Sequence, residues 1–270
     1  MKGVFLRMKN ILLLVCILRM EKMNYYEIIG PSGSGKTALF NHLRQRNIQF
    51  RNKYFSILPY LINSNRLDAP KSIVFKFLAS IFPVKTFERL KSRLYQVSRE
   101  HQELLLNDYG YLYLVLLNGI KKENPVYINQ VLNDYLSTLM TIHLMDLSLS
   151  ENEFVIVDEG VIHKNSALRN VHYLDDIIDR LKTFVKGVIY LNVPDDQVFE
   201  QSLKRLHLGH KTLSHKFLDQ DLLRIKCNKE IKSYKEFVDK LRTLNIPVLE
   251  IRDINSLNQV EMEINLFISK

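Results

Sequence analysis

YYEIIGPSGSGKT, residues 25–37, joins a short apolar stretch to a complete G-x-x-x-x-G-K-[ST] pattern made of Gly30, Pro31, Ser32, Gly33, Ser34, Gly35, Lys36 and Thr37. ALFNHL follows, so the pattern predicts strand, loop and helix in that order. Each residue type has a physical role in such a loop. The glycines let backbone N–H groups wrap around phosphate oxygens, and the helix that opens behind them favours negative charge at its N-terminus. Lys36 is expected to reach the β- and γ-phosphates of a nucleoside triphosphate, and the Thr37 hydroxyl to hold Mg²⁺. The alternative is a Gly/Ser-rich turn that happens to precede a helix.

On the N-terminal side, Lys2, Arg7 and Lys9 precede the apolar run ILLLVCIL at residues 11–18. Eight residues are too few to span a bilayer, and no small-residue cleavage site follows. Residues 1–23 are therefore expected to be an appendage, or translation is expected to start at Met23. On the C-terminal side, α-helical spacing places Leu39, Phe40 and Leu43 on one face, and QFRNKYF at residues 49–55 reads as a second strand. Residues 1–60 carry ten Lys and Arg against Glu21 and Glu27, so the net charge of +9 is concentrated there. The run Arg44, Arg46, Arg51 and Lys53 suits an anionic partner or simply a solvated face. No nucleic-acid module is legible. Cys16 and Cys227 are too far apart in sequence to suggest a disulfide framework or a cysteine-rich zinc site. With a nucleotide loop, this cysteine usage predicts the cytoplasm.

Residues 71–149 have helical spacing. Phe87, Leu90, Leu94, Val97, His101 and Leu104 form one stripe, and Ile128, Val131, Tyr135, Leu139 and Ile142 form another after Pro125. Between them YGYLYLVLLNGI is apolar all round and is expected to be a buried helix. His101 and His143 are expected to be packed or surface residues rather than metal ligands. The pattern changes at residues 154–160, FVIVDEG, a continuous apolar run of the kind found in parallel strands covered on both faces. Its carboxylates are predicted to emerge beside the phosphate loop, Asp158 in the Mg²⁺ shell and Glu159 towards a nucleophile or substrate. VHYLDDIIDRLKTF then reads as an amphipathic helix, GVIYLNVP as a further strand, residues 216–244 as a long charged helix, IPVLEI as a strand and the C-terminus as a helix ending near Ile268. The alternation predicts a doubly wound α/β domain over residues 24–270 with a helical insertion at about 71–149. Lys204, Arg205, His207, His210, Lys211, His215 and Lys216 concentrate charge after Pro194, which suggests a basic lid over a phosphoryl group or an exposed basic helix end. The same histidines lack a carboxylate or cysteine that would complete a metal site.

Three segments, GPSGSGKT after YYEII, VIVDEGVIHKNSAL and GVIYLNVPDDQVFEQSLKRLHLGHKT, resemble the P-loop nucleoside and nucleotide kinase superfamily, the group that includes thymidylate and deoxynucleoside kinases. The resemblance implies a P-loop fold with a five-stranded parallel sheet, ATP or GTP as donor, Mg²⁺, and a small-molecule acceptor such as a nucleoside, nucleotide or sugar. It places Lys36 and Thr37 at the donor phosphates, Asp158 at the acidic strand end and Arg205 at the lid arginine. The chain departs from the family pattern at Asp158-Glu159-Gly160, where many members have an arginine after the acid. The expected chemistry is phosphoryl transfer, with Lys36, Asp158, Glu159 and Arg205 catalytic, Lys211 a further lid contact to the donor, and a homodimer an allowed assembly. The competing expectation is an NTP hydrolase coupled to a conformational change or a macromolecular partner, and a third is a nucleotide-binding protein without chemistry.

Overall fold

The computed structural model describes residues 24–46, 109–148, 154–169, 175, 177–208 and 219–270. The chain divides into two compact units, one including the helices of residues 109–148 and the other comprising residues 26–48 and 156–270.

The described strands form a parallel α/β sheet. Strands β1 (Asn24–Ile29), β2 (Phe154–Val157), β3 (Val185–Leu191) and β4 (Val248–Ile251) lie in the order β2-β1-β3-β4. Both inner strands are buried almost throughout, which is why YYEII and VKGVIYL read as continuous rather than alternating apolar runs. Val188 to Leu191 of β3 stand opposite Val248 to Ile251 of β4. β4 is only half-buried over its first three residues, as an outer position allows. The strand expected at residues 49–55 lies outside the described residues, as do residues 1–23, 71–108 and the stripe of Phe87 to Leu104.

Helices cover the sheet. α1 (Lys36–Arg46) buries Leu39 and Leu43, the face expected from their spacing, with Phe40 half-buried. Further along the chain come α3 (Val161–Lys164), a 3₁₀ turn (Ser166–Arg169), α4 (Ile178–Phe184), α5 (Asp195–His207), α6 (Gln220–Thr243) and α7 (Leu257–Ile268). α5 and α6 pack together through Val198 and Phe199 on one and Leu223, Cys227 and Ile231 on the other, joined by Val193. The buried positions of α6 continue through Tyr234, Phe237 and Leu241, a stripe at helical period along 24 residues. Asp219 caps this helix, its carboxylate accepting from Leu222 N at 2.8 Å. α4 is shorter than the amphipathic pattern suggests. Residues 175 and 177 form turns, and Ile177, which stands at the cap position, has no side chain able to accept a hydrogen bond.

In the first unit residues 109–120 are helical. The helix is amphipathic rather than buried on all sides: Tyr109, Leu112, Leu116 and Ile120 are buried while Leu114 is 58 % exposed. Apolar composition alone did not distinguish these faces. α2 (Pro125–Ser148) begins at proline, whose missing N–H costs nothing at a first helical position, and Asn124 Oδ1 accepts from Val126 N. Its buried stripe runs through Leu132, Tyr135, Leu139 and Ile142, with Val131 only half-buried. His143 is buried with its ring edge-on to Tyr109, the packed role expected of it.

Candidate functional site: the loop after β1

β1 delivers the chain into Gly30, and α1 starts at Lys36, so the glycine-rich segment lies between a buried strand end and a helix N-terminus. Gly33 and Gly35 have φ of +91° and +93°. A Cβ at Gly33 would lie 2.8 Å from the Val198 carbonyl oxygen, and one at Gly35 would run into the tip of Ile254. Glycine is needed at both, by conformation and by space. The turn is closed by Ser34 N donating to Pro31 O at 3.2 Å, and the helix starts with Leu39 N donating to Gly35 O at 3.0 Å. Ser34 Oγ is buried and makes no hydrogen bond. Such a hydroxyl is costly to bury unless a partner arrives, which fits a loop that receives a phosphate oxygen.

Lys36 is buried, and its Nζ donates to Gly30 O at 2.7 Å and to Pro31 O at 2.9 Å. Burial pulls its pKa down to about 8, opposed by the negative charges of Glu230 and Glu159 and assisted by the positive charges of Arg205 and Arg169. The ammonium group is thus held over the loop by backbone oxygens, in a field to which two acids and two arginines contribute.

The loop is strapped from outside. Glu230 of α6 accepts from Ser32 N at 3.2 Å, and Ser202 Oγ of α5 donates to Ser32 O at 3.2 Å. A carboxylate therefore occupies one of the amides that an incoming phosphate would use. A second carboxylate ties the acidic strand's end to β1. Glu27 is fully buried, and it accepts from Ile162 N at 3.0 Å and His163 N at 2.6 Å at the start of α3.

Beyond α3 a compact polar group forms. Arg169 Nη1 donates to His163 O at 2.9 Å and to Tyr234 Oη at 3.4 Å, and its guanidinium carbon lies 4.7 Å from the Tyr234 ring centroid. Tyr234 Oη lies 2.8 Å from His163 Nδ1. Burial raises the phenol's pKa far above its ordinary value, while burial and the charges of Lys36, Arg169 and Lys164 lower that of His163. The phenol keeps its proton and the imidazole is neutral, so the network assigns donation from Tyr234 Oη to Nδ1 and leaves the ring's hydrogen on Nε2.

Of the residues singled out in the sequence, Gly30 to Lys36 form one continuous loop, and Glu159 and Arg205 lie within electrostatic reach of Lys36. Asp158 is half-buried at the C-terminal end of β2, the strand next to β1. Thr37 is exposed on the first turn of α1, and Arg205 is exposed on α5. Lys211, His210, His215 and Lys216 lie outside the described residues. No cluster of three or more His, Cys, Asp or Glu suited to a metal occurs among the described residues. A Mg²⁺ that arrives on a triphosphate needs few protein ligands, and the Thr37 hydroxyl and Asp158 carboxylate are oxygen donors of the right hard character. Glu27, His163, Arg169, Glu230 and Tyr234 were not singled out. Only Glu27 carried a visible signal, as the one charge inside an otherwise apolar strand. No protein-family model matches the chain, and no curated protein matches its sequence.

Proposed function

We propose that this chain is a phosphotransferase of the P-loop nucleoside and nucleotide kinase type, acting in the cytoplasm on a small-molecule acceptor with Mg²⁺ and ATP or GTP. The observation that carries the reading is the loop itself: left-handed glycines, an unpartnered buried Ser34 hydroxyl and a buried Lys36 above the loop carbonyls. On this reading Gly30 to Thr37 bind the donor phosphates. Mg²⁺, held by Thr37 and by Asp158, supplies charge neutralisation on the phosphate oxygens when bound. Lys36 exchanges its two loop carbonyls for phosphate oxygens and keeps its charge beside them. Glu159, exposed at the end of β2, orients the acceptor hydroxyl and takes up its proton. Arg205, together with Lys211, compensates the charge that spreads over the transferring group. Most of the acceleration is positioning and electrostatics, so no covalent intermediate on the chain is required.

The test is Mg²⁺-dependent release of nucleoside diphosphate from ATP and GTP, with and without pooled nucleosides, nucleotides and sugars, using Lys36→Ala as control. Release that requires a pool and disappears with Lys36→Ala is the expected result. Release equal with and without every pool would replace the kinase reading with that of a coupled hydrolase.

A further inference from the structure

We propose that Glu230 and Ser202 form an autoinhibitory latch, holding the glycine-rich loop closed so that donor phosphate enters only when α5 and α6 release it; this rests on the phosphotransferase reading above. The latch grips one residue from two helices. Ser32 N donates to the Glu230 carboxylate of α6, and Ser32 O accepts from Ser202 Oγ of α5, each at 3.2 Å. α5 also lies hard against the next residue: a Cβ at Gly33 would come within 2.8 Å of Val198 O, 3.0 Å of Ser202 Oγ and 3.3 Å of Gln201 Cβ.

The grip keeps the loop's binding groups covered. Ser34 is fully buried, and Lys36, 8 % exposed, commits two of its three donors to Gly30 O and Pro31 O of the same loop. Glu230 meanwhile does both things that a phosphate would do there. It accepts from a loop amide, and its charge is the foremost of those that favour the protonated form of Lys36. An arriving phosphate is therefore opposed by a like charge that already holds the same amide and acts on the same ammonium.

The two gripping residues are mechanically joined. Val198 and Phe199 of α5 pack with Leu223, Cys227 and Ile231 of α6, so the helices shift as a packed pair and give up both contacts together. Lys226, one turn before Glu230 on α6, is within electrostatic reach of it and offers the released carboxylate a partner.

Binding of Mg-ATP and Mg-GTP to the full-length chain at pH 7, below the Lys36 pKa of about 8, is to be followed by isothermal titration and stopped flow. Because only the released loop binds, weakening the latch raises the competent fraction and lowers the apparent Kd. Glu230→Ala should tighten binding about 10-fold or more and Ser202→Ala about 3- to 10-fold, both through faster association, with Glu230→Gln between wild type and Glu230→Ala. Ser202→Ala removes no charge, so its gain separates a latch from through-space repulsion. Circular dichroism checks folding, and Ser202→Ala with Glu230→Gln carries the test if Glu230→Ala fails to fold. A gain confined to the Glu230 variants overturns the proposal, as does binding that is unchanged or weaker in Ser202→Ala. Triphosphate bound by neither wild type nor any variant, or bound indifferently to Lys36→Ala, would overturn the phosphotransferase reading and the latch with it. Binding that requires Lys36 but ignores Glu230 and Ser202 removes the latch alone.

Discussion

Lys36 sets the pH response of the loop. Its pKa of about 8 in the ligand-free chain reflects burial, and an arriving triphosphate raises it again by surrounding the ammonium with negative oxygens. Binding is therefore linked to proton uptake once the pH exceeds about 8. The apparent Kd for ATP or GTP should be flat below that point and rise about tenfold per pH unit above it, as isothermal titration across pH 7–10 would record. Glu230 shifts this profile in a known direction, because its charge raises the proton affinity of Lys36. Glu230→Gln retains an oxygen that can accept from Ser32 N but removes the charge, so the break in the profile should move to lower pH. A break that stays in place would show that Glu230 does not act on Lys36.

At the scale of elements, the joint between β3, β4 and α6 is polar and centred on Glu250. Asn192, just after β3, donates to its carboxylate at 2.9 Å, Arg252 donates at 2.8 Å, and Arg242 of α6 completes the set. These hydrogen bonds, that of Asn192 foremost, hold the Glu250 carboxyl down to about 2. Because the folded pKa lies below the unfolded one, the stabilisation is full above the ordinary carboxylate pKa and is lost as the pH falls towards 2. Glu250→Gln should cost about 1 kcal/mol or less at neutral pH, and its denaturant midpoint should converge with that of wild type near pH 2. Elements of this kind were legible in the sequence wherever burial is continuous or periodic. YYEII and GVIYL announced inner strands, whereas FVIV, an equally continuous apolar run, is the strand at the end of the sheet order, and the charged run at residues 216–244 announced a long helix without showing which face it buries. Faces were less legible where composition is uniformly apolar, as at residues 109–120. The polar partners of the loop were not legible at all. Glu230 is one of many charges on α6 and looks like solvated surface until the helix is laid against Ser32, and Arg169 and Tyr234 meet only through the packing of α6 on the 3₁₀ turn.

For the whole molecule, the loop's ligand should act on global stability. A ligand that binds only the folded chain adds about 2.7 kcal/mol at a hundred times its Kd, which for a chain of this size corresponds to a rise in Tm of several degrees. Scanning calorimetry with Mg-ATP or Mg-GTP should show that rise in wild type and lose it in Lys36→Ala. No helix among the described residues is long and apolar enough to cross a membrane. The sheet order carries one more consequence, for synthesis rather than catalysis. β1 is sandwiched between β2 and β3, yet residues 30–153 must be made before the first of these neighbours exists and β3 follows later still. β1 is thus made well before either strand that pairs with it. A nascent chain with both edges of YYEII open for that interval is a natural client for chaperones that shield extended apolar segments, and the slowest folding step should be the closing of the central strand.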